Sequence, residues 1–191
     1  MSWMLTFTGA TVDLKNPQAG SISTLDIAHS LALTNRFTGH TARPYSVAEH
    51  SLLVEEIMSR EYGPMPPAAL LAALVHDAHE AYVGDISTPL KQAMGLWVVE
   101  DMERHVWHAV QHHFHTHEAS RDYASIIKRC DLMALAMERR DLLPPGGAKW
   151  PLLDGVKACT WVSLSQRAGM GWEDWRQAFL DRVAALLPQV D

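Results

Sequence analysis

Pro67 and Gly84 bracket the stretch that most confines how this chain can fold. From Ala68 to Val75 every residue is apolar, and His76-Asp77-Ala78-His79-Glu80 follows without a break. Leu70, Leu74, Asp77 and Ala81 share one helical stripe, and proline suits the first position of a helix, so the spacing predicts one helix from Pro67 to about Gly84. A helix this apolar must be buried, and it takes an imidazole and a carboxylate inside with it.

The same periodicity recurs on both sides. Ser23 followed by Asp26 resembles a capping box, with Leu25, Ala28, His29 and Ala32 at helix spacing. Ser46 and Glu49 repeat the box and start a helix to about Glu61, in which Val47, His50, Val54 and Ile57 share one face. His50 is therefore expected to point into the core. Thr88-Pro89 reads as a cap and first turn of a short helix bearing Lys91. Longer helices are expected over 97–114 and 120–142, the second with Tyr123, Ile127, Ala134 and Leu135 toward the core. Pro144-Pro145-Gly146-Gly147 ends it, and 144–170 reads as a loop with a short helix. Trp172, Trp175, Phe179, Leu180, Val183 and Leu187 mark a last amphipathic helix. Residues 1–22 carry only short β-prone pieces such as 4–8, so a loop or β-hairpin appendage is expected there. The fold class is all-α: one helical bundle over 1–191, with its core at 24–142 and a loop and helix at 143–191.

Charge narrows the partners. Net charge is -6, so the basic stripe that duplex nucleic acid requires is missing, and duplex binding is not expected. A small anionic substrate remains compatible, because a local cation can override weak overall repulsion. Two cysteines, Cys130 and Cys159, are too few for a disulfide framework. With no signal-peptide pattern at the start and no run of membrane-spanning length, the reading is a cytoplasmic protein without a membrane partner.

A His-Asp pair is weak evidence in a chain with 11 histidines. Its setting gives it weight. His50 comes from the preceding helix and Asp131 from a later one, so three packed helices can bring His50, His76, Asp77 and Asp131 to one point. Two imidazoles and two carboxylates suit one divalent transition metal, whether Co, Mn, Zn, Fe or Ni. Glu80, one turn after His76, and Asp85 in the following turn are candidates for general acid-base work. Arg36, Lys91 and Lys128 are candidate phosphate clamps.

These residues resemble the metal-dependent HD-domain phosphohydrolases, whose pattern is a His, a later His-Asp pair and a distal Asp. Arg36-Phe37, the run Ser46 to Ser51, His76 to Glu80 and Gly84 to Lys91 are similar to the 5′-deoxynucleotidase branch, and Arg36 to His50 also resembles phage-type dATP triphosphohydrolases. The likeness extends over about 24–142. It implies an HD-domain bundle in which His50, His76, Asp77 and Asp131 bind the cation, Glu80 and Asp85 serve turnover, and Arg36 contacts phosphate. Phe37 stands where the deoxynucleotidases carry tryptophan, as a base- or sugar-binding candidate. The implied reaction is in-line attack of metal-activated water on the 5′ phosphoester of a deoxynucleotide, giving deoxynucleoside and phosphate. A triphosphohydrolase releasing triphosphate is the alternative, and a non-catalytic nucleotide- or protein-binding scaffold is the alternative of another class. The likeness also implies a homo-oligomer.

Each residue has a plainer reading. Alone, His50 is a buried histidine satisfied by a carbonyl, Asp77 and Asp131 are salt-bridge partners, and Phe37 is core packing. His105, His108, His112, His113, His115 and His117 form a second dense group, read as a solvated helix end because carboxylates or thiolates at ligand spacing are missing. His29, His40 and His79 are expected to support the candidate site from outside its ligand set.

Overall fold

The computed structural model describes residues 2–187, the side chains of Leu96 and Val98 excepted; Met1 and residues 188–191 of the expected 1–191 domain lie outside the described residues. In chain order a β-hairpin, β1 (Trp3–Leu5) and β2 (Thr11–Asp13), precedes α1 (Thr24–Leu33), α2 (Val47–Glu61), α3 (Pro67–Leu74), α4 (Glu80–Val83) and α5 (Thr88–Met94). Then come α6 (Leu96–Phe114), α7 (His117–Asp122), α8 (Ala124–Asp141) and α9 (Trp172–Leu186). The protein is a mostly helical bundle with one small antiparallel hairpin.

α2 is the element the others surround. Ser46 caps it by accepting the Glu49 N–H at 3.1 Å, and Val47, His50, Val54 and Ile57 have no exposed surface, as the spacing required. It packs on α3, α8, α1 and α9. In α3, Ala69 to Leu74 are all buried, the mark of a helix enclosed on every side. Ser46 and Ser23 form only half of the expected capping boxes, because the acidic partners are drawn elsewhere. Glu49 binds Arg43 at 2.7 and 2.8 Å, and Asp26 accepts from the Thr8 N–H and hydroxyl at 2.7 and 2.8 Å. Asp26 thereby ties the hairpin tip to α1. The strand ends at Leu5, short of the expected Thr8, because the Thr6–Ala10 turn begins there, with Gly9 at φ 85°.

Several expected stripes are rotated. α1 buries Ile27, Ala28, Leu31 and Ala32, while Leu25 is exposed. α8 buries Ile127, Cys130, Ala134 and Met137 and leaves Leu135 half-exposed. α9 buries Leu186 and leaves Leu187 and Trp172 exposed. Residues 120–142 are two helices, parted at Tyr123. The 144–170 segment contains two 3-10 turns and is fastened to the bundle by Arg140, which donates to Cys159 O at 2.7 Å, and by Asp141, which accepts the Leu164 N–H at 2.8 Å.

The correction that matters most for function falls inside the apolar run. The single helix expected from Pro67 to Gly84 stops at Leu74 and resumes at Glu80. Tight i→i+3 bonds replace helical ones there: Ala78 N–H to Val75 O at 3.0 Å and Glu80 N–H to Asp77 O at 2.9 Å. The His76 ring adds to the break by donating from Nδ1 to Ala73 O at 2.8 Å, a carbonyl that an uninterrupted helix would reserve for the Asp77 N–H. Among the described residues no helix is long and apolar enough to cross a membrane.

Candidate metal centre

Three elements meet where the sequence placed its ligands, although only two of them are helices. His50 comes from α2, Asp131 from α8, and His76 and Asp77 from the turn between α3 and α4. One ligand atom from each of His50, His76 and Asp131 lies within 4.8 Å of the other two, a group that can hold a metal ion. Asp77 stands against both imidazoles: its Oδ2 is 3.4 Å from His50 Nε2 and 3.2 Å from His76 Nε2. His50 Nε2 is also 3.4 Å from Asp131 Oδ1. Donors about 2.0–2.2 Å from a shared metal, at angles between square and tetrahedral, stand about 2.9–3.5 Å apart.

The ring nitrogens provide a test of that fit. His76 Nδ1 faces a carbonyl and His50 Nδ1 faces Glu138 Oε1 at 2.6 Å, both acceptors, so each ring carries its proton on Nδ1. In the neutral ring each Nε2 is then a lone pair. Both are buried without a hydrogen-bond partner, yet both abut carboxylate oxygens. Lone pairs facing anions at this range repel unless a cation or a second proton lies between them, and a neutral histidine anchored at its far nitrogen is the usual form of a metal ligand. The residues fit a divalent cation.

Electrostatics agree. Burial and the Arg36 charge press His50 toward neutrality, but Glu138, Asp131 and Asp77 outweigh them and raise its pKa well above the usual range. Burial pushes Asp77 and Asp131 up, and the two histidines overcome it and hold both well below the ordinary carboxylate range. In the absence of a metal, a second proton on His50 thus occupies the electrostatic place of a cation. His50 is fully enclosed, whereas the side chains of Asp77 and Asp131 keep 20% of their surface exposed, so the cluster opens to solvent on the carboxylate side.

Glu80 and Asp85 follow directly. Glu80 starts α4 with 8% exposure, and one of its oxygens is buried without a partner. Burial raises its pKa well above the carboxylate range, and the charges of Asp77 and Asp85 add to the effect. Asp85 is also raised by burial, partly opposed by Arg36.

The candidate clamps reach the site differently. Arg36 contacts Asp77 Oδ2 at 3.5 Å and Glu138 Oε2 at 3.4 Å. It is delivered by a strained turn in which Phe37 and Thr38 take positive φ values of 56° and 52°, each costing about 1–2 kcal/mol in a non-glycine residue. The Arg36 N–H, bonded to Tyr45 O at 2.9 Å, closes this loop. Phe37 is half-buried against the core, its ring 6.3 Å from that of Trp150. Lys128 is exposed and pairs with Asp131 Oδ2 at 2.7 Å, while Lys91 pairs with Glu103 at 2.7 Å.

The sequence reading missed Glu138 and Tyr45. Glu138 lies two turns after Asp131 on the same face of α8, and that spacing from a candidate ligand is the signal that could have exposed it. The supporting histidines are not alike: His79 is adjacent, with burial lowering its pKa, whereas His29 stacks on Phe7 at 3.7 Å beneath the hairpin. Among the described residues the histidines of α6 do not gather into a ligand group.

Comparison with known proteins places the chain among relatives. It is 34% identical over 158 residues to the uncharacterized protein YfdR of Escherichia coli, a match spanning 83% of this chain and 82% of that protein. An uncharacterized protein of Rhodobacter capsulatus is 45% identical over 101 residues, 52% of each chain. The chain belongs to the family of YfdR. No family model matches it.

Proposed function

We propose that the protein is a cytoplasmic, metal-dependent phosphohydrolase of the HD-domain type that cleaves the 5′ phosphoester of deoxynucleoside monophosphates. The observation that carries this reading is the grouping of His50, His76 and Asp131, with Asp77 Oδ2 against both imidazoles and both buried Nε2 atoms unpartnered, beside a buried acid, Glu80. A divalent cation of the Co, Mn, Zn, Fe or Ni class, held by these four side chains, would supply Lewis acidity and a water activated near neutral pH.

The chain's own residues supply the rest. Arg36 would accept the phosphate dianion, exchanging one of its carboxylate partners for it. Glu80, kept protonated by burial and by its acidic neighbours, would give its proton to the departing 5′ oxygen. Asp85 lies on the same acidic wall and would hold the attacking water in line. Phe37, with Trp150 behind it, offers an apolar face to the sugar or base.

A triphosphohydrolase is the second reading, and the candidate clamps start from carboxylate pairs in either case. Arg36 faces Asp77 and Glu138, Lys91 faces Glu103, and Lys128 faces Asp131.

The test is a panel of deoxynucleoside mono- and triphosphates incubated with the purified protein and Mn, Co, Zn or Mg. Release of inorganic phosphate from monophosphates is the expected result. Release of inorganic triphosphate would move the assignment to a triphosphohydrolase, and metal binding without turnover of any substrate would leave a nucleotide-binding scaffold.

A further inference from the structure

Glu138 has no exposed surface, yet it is ionisable, and all its polar contacts are with the candidate site or its immediate support. Oε1 accepts from His50 Nδ1 at 2.6 Å and from the Tyr45 hydroxyl at 3.0 Å, and Oε2 faces Arg36 at 3.4 Å. We infer that Glu138 is a positioning residue, fixing which nitrogen of His50 faces the metal site and where Arg36 stands beside it. The inference rests on the metal-centre reading above.

A carboxylate only accepts hydrogen bonds, so it obliges His50 to carry its proton on Nδ1 and leaves the Nε2 lone pair of the neutral ring free to bind a metal. A buried carboxylate is costly, and apolar residues of similar volume often stabilise a core as well or better, so packing alone gives little reason for a glutamate here. The second oxygen gives it another task. By pairing with Arg36 it sets the guanidinium beside Asp77, so one group aligns a ligand and the phosphate-facing cation together. α8 thus contributes Asp131 as a ligand and, two turns later, the group that orients the ligand from α2.

His76 is a built-in control. Its Nδ1 proton is held by the Ala73 carbonyl, which no side-chain substitution removes. Glu138→Gln keeps the volume but introduces an amide that can donate, which frees His50 to hold its proton on Nε2, where it blocks the metal.

The experiment compares 15N-histidine NMR spectra of zinc-loaded wild type, Glu138→Gln and Tyr45→Phe, together with cobalt titrations followed by absorption. In wild type, both His50 and His76 are expected to coordinate through Nε2 and keep Nδ1 protonated. Glu138→Gln should lose this pattern at His50 only and bind cobalt about 10- to 100-fold more weakly. Tyr45→Phe, which removes only a hydroxyl, should keep it. Unchanged cobalt affinity in Glu138→Gln would overturn the inference. So would His50 coordination through Nδ1 in wild type, a readout that decides the matter even if the variant does not fold. Wild type that binds neither metal would overturn the metal centre itself, and with it this role.

Discussion

Two regions of this protein are rich in histidine, and among the described residues only one of them gathers ligand atoms that could hold a metal ion. His105, His108, His112 and His117 lie along or just after α6, with ring centres 4.2 Å apart for His112 and His117 and 6.2 Å apart for His108 and His117. His105, His108 and His112 are exposed, His117 Nε2 is buried without a partner among the described residues, His105 lies 3.7 Å from Asp101, and only the neighbouring His113 meets a hydroxyl, that of Thr24, at 3.0 Å. At the His50 site the rings are held from behind by Glu138 and Ala73 O, so both free nitrogens turn toward the same carboxylates. Closeness of imidazoles is common to both regions. What separates them is burial together with convergence: at the His50 site two largely enclosed rings, each anchored at the far nitrogen, face one shared carboxylate, an arrangement that can hold a cation, whereas His105 meets Asp101 at 3.7 Å in solvent.

That contrast can be broken experimentally. Its largest consequence concerns Glu80, since a buried acid of this kind flanks the His50 site. Glu80→Gln should lower the hydrolysis rate by about 10²- to 10⁴-fold while metal content stays at the wild-type level; a variant that hydrolyses at the normal rate would remove Glu80 from the chemistry. Next, His76→Ala should weaken cobalt binding by more than about 100-fold, above the range seen when only a supporting group is lost, as read by titration.

A smaller effect is expected from pH. Because the metal-free His50 has a raised pKa, a cation must displace its second proton, and acidification strengthens the proton's hold. Apparent metal affinity should therefore fall by about tenfold per pH unit below that raised pKa, as one proton is released on binding. Asp77 and Asp131 stay ionised across this window because their pKa values are held down. Proton release measured by calorimetry in buffers of different ionisation enthalpy checks the sign. The smallest effect sharpens the comparison from the other side: the double variant His108→Ala/His112→Ala should keep one tightly bound metal per chain and wild-type turnover. Loss of metal from that variant would reverse the ranking of the two regions.

Much of the architecture was legible from pattern. Ser46 and Pro67 announced helix starts because capping and proline geometry are local, and the inward face of α2, His50 included, followed from its period. Stripes on α1, α8 and α9 were misplaced by about one position, since an exposed Leu25 or Leu135 looks the same in sequence as a buried one. The break at 75–79 was illegible for a firmer reason. Val75 to His79 is compatible with a helix by propensity, and what stops the helix is the His76 ring competing for Ala73 O together with ligands held by α2 and α8.

Residue types and spacing alone were enough to specify an all-helical chain and to nominate two imidazoles, four carboxylates and three cationic side chains as candidates for its chemistry, because periodicity and ligand preference are properties of short segments. Packing decided which nitrogen each imidazole presents, that Glu80 is enclosed while Lys128 is in solvent, and that Glu138 rather than a carbonyl stands behind His50. Those outcomes depend on groups far apart in the chain, Glu138 being 88 residues from His50, and they are set by desolvation, which acts only once the helices have closed around them.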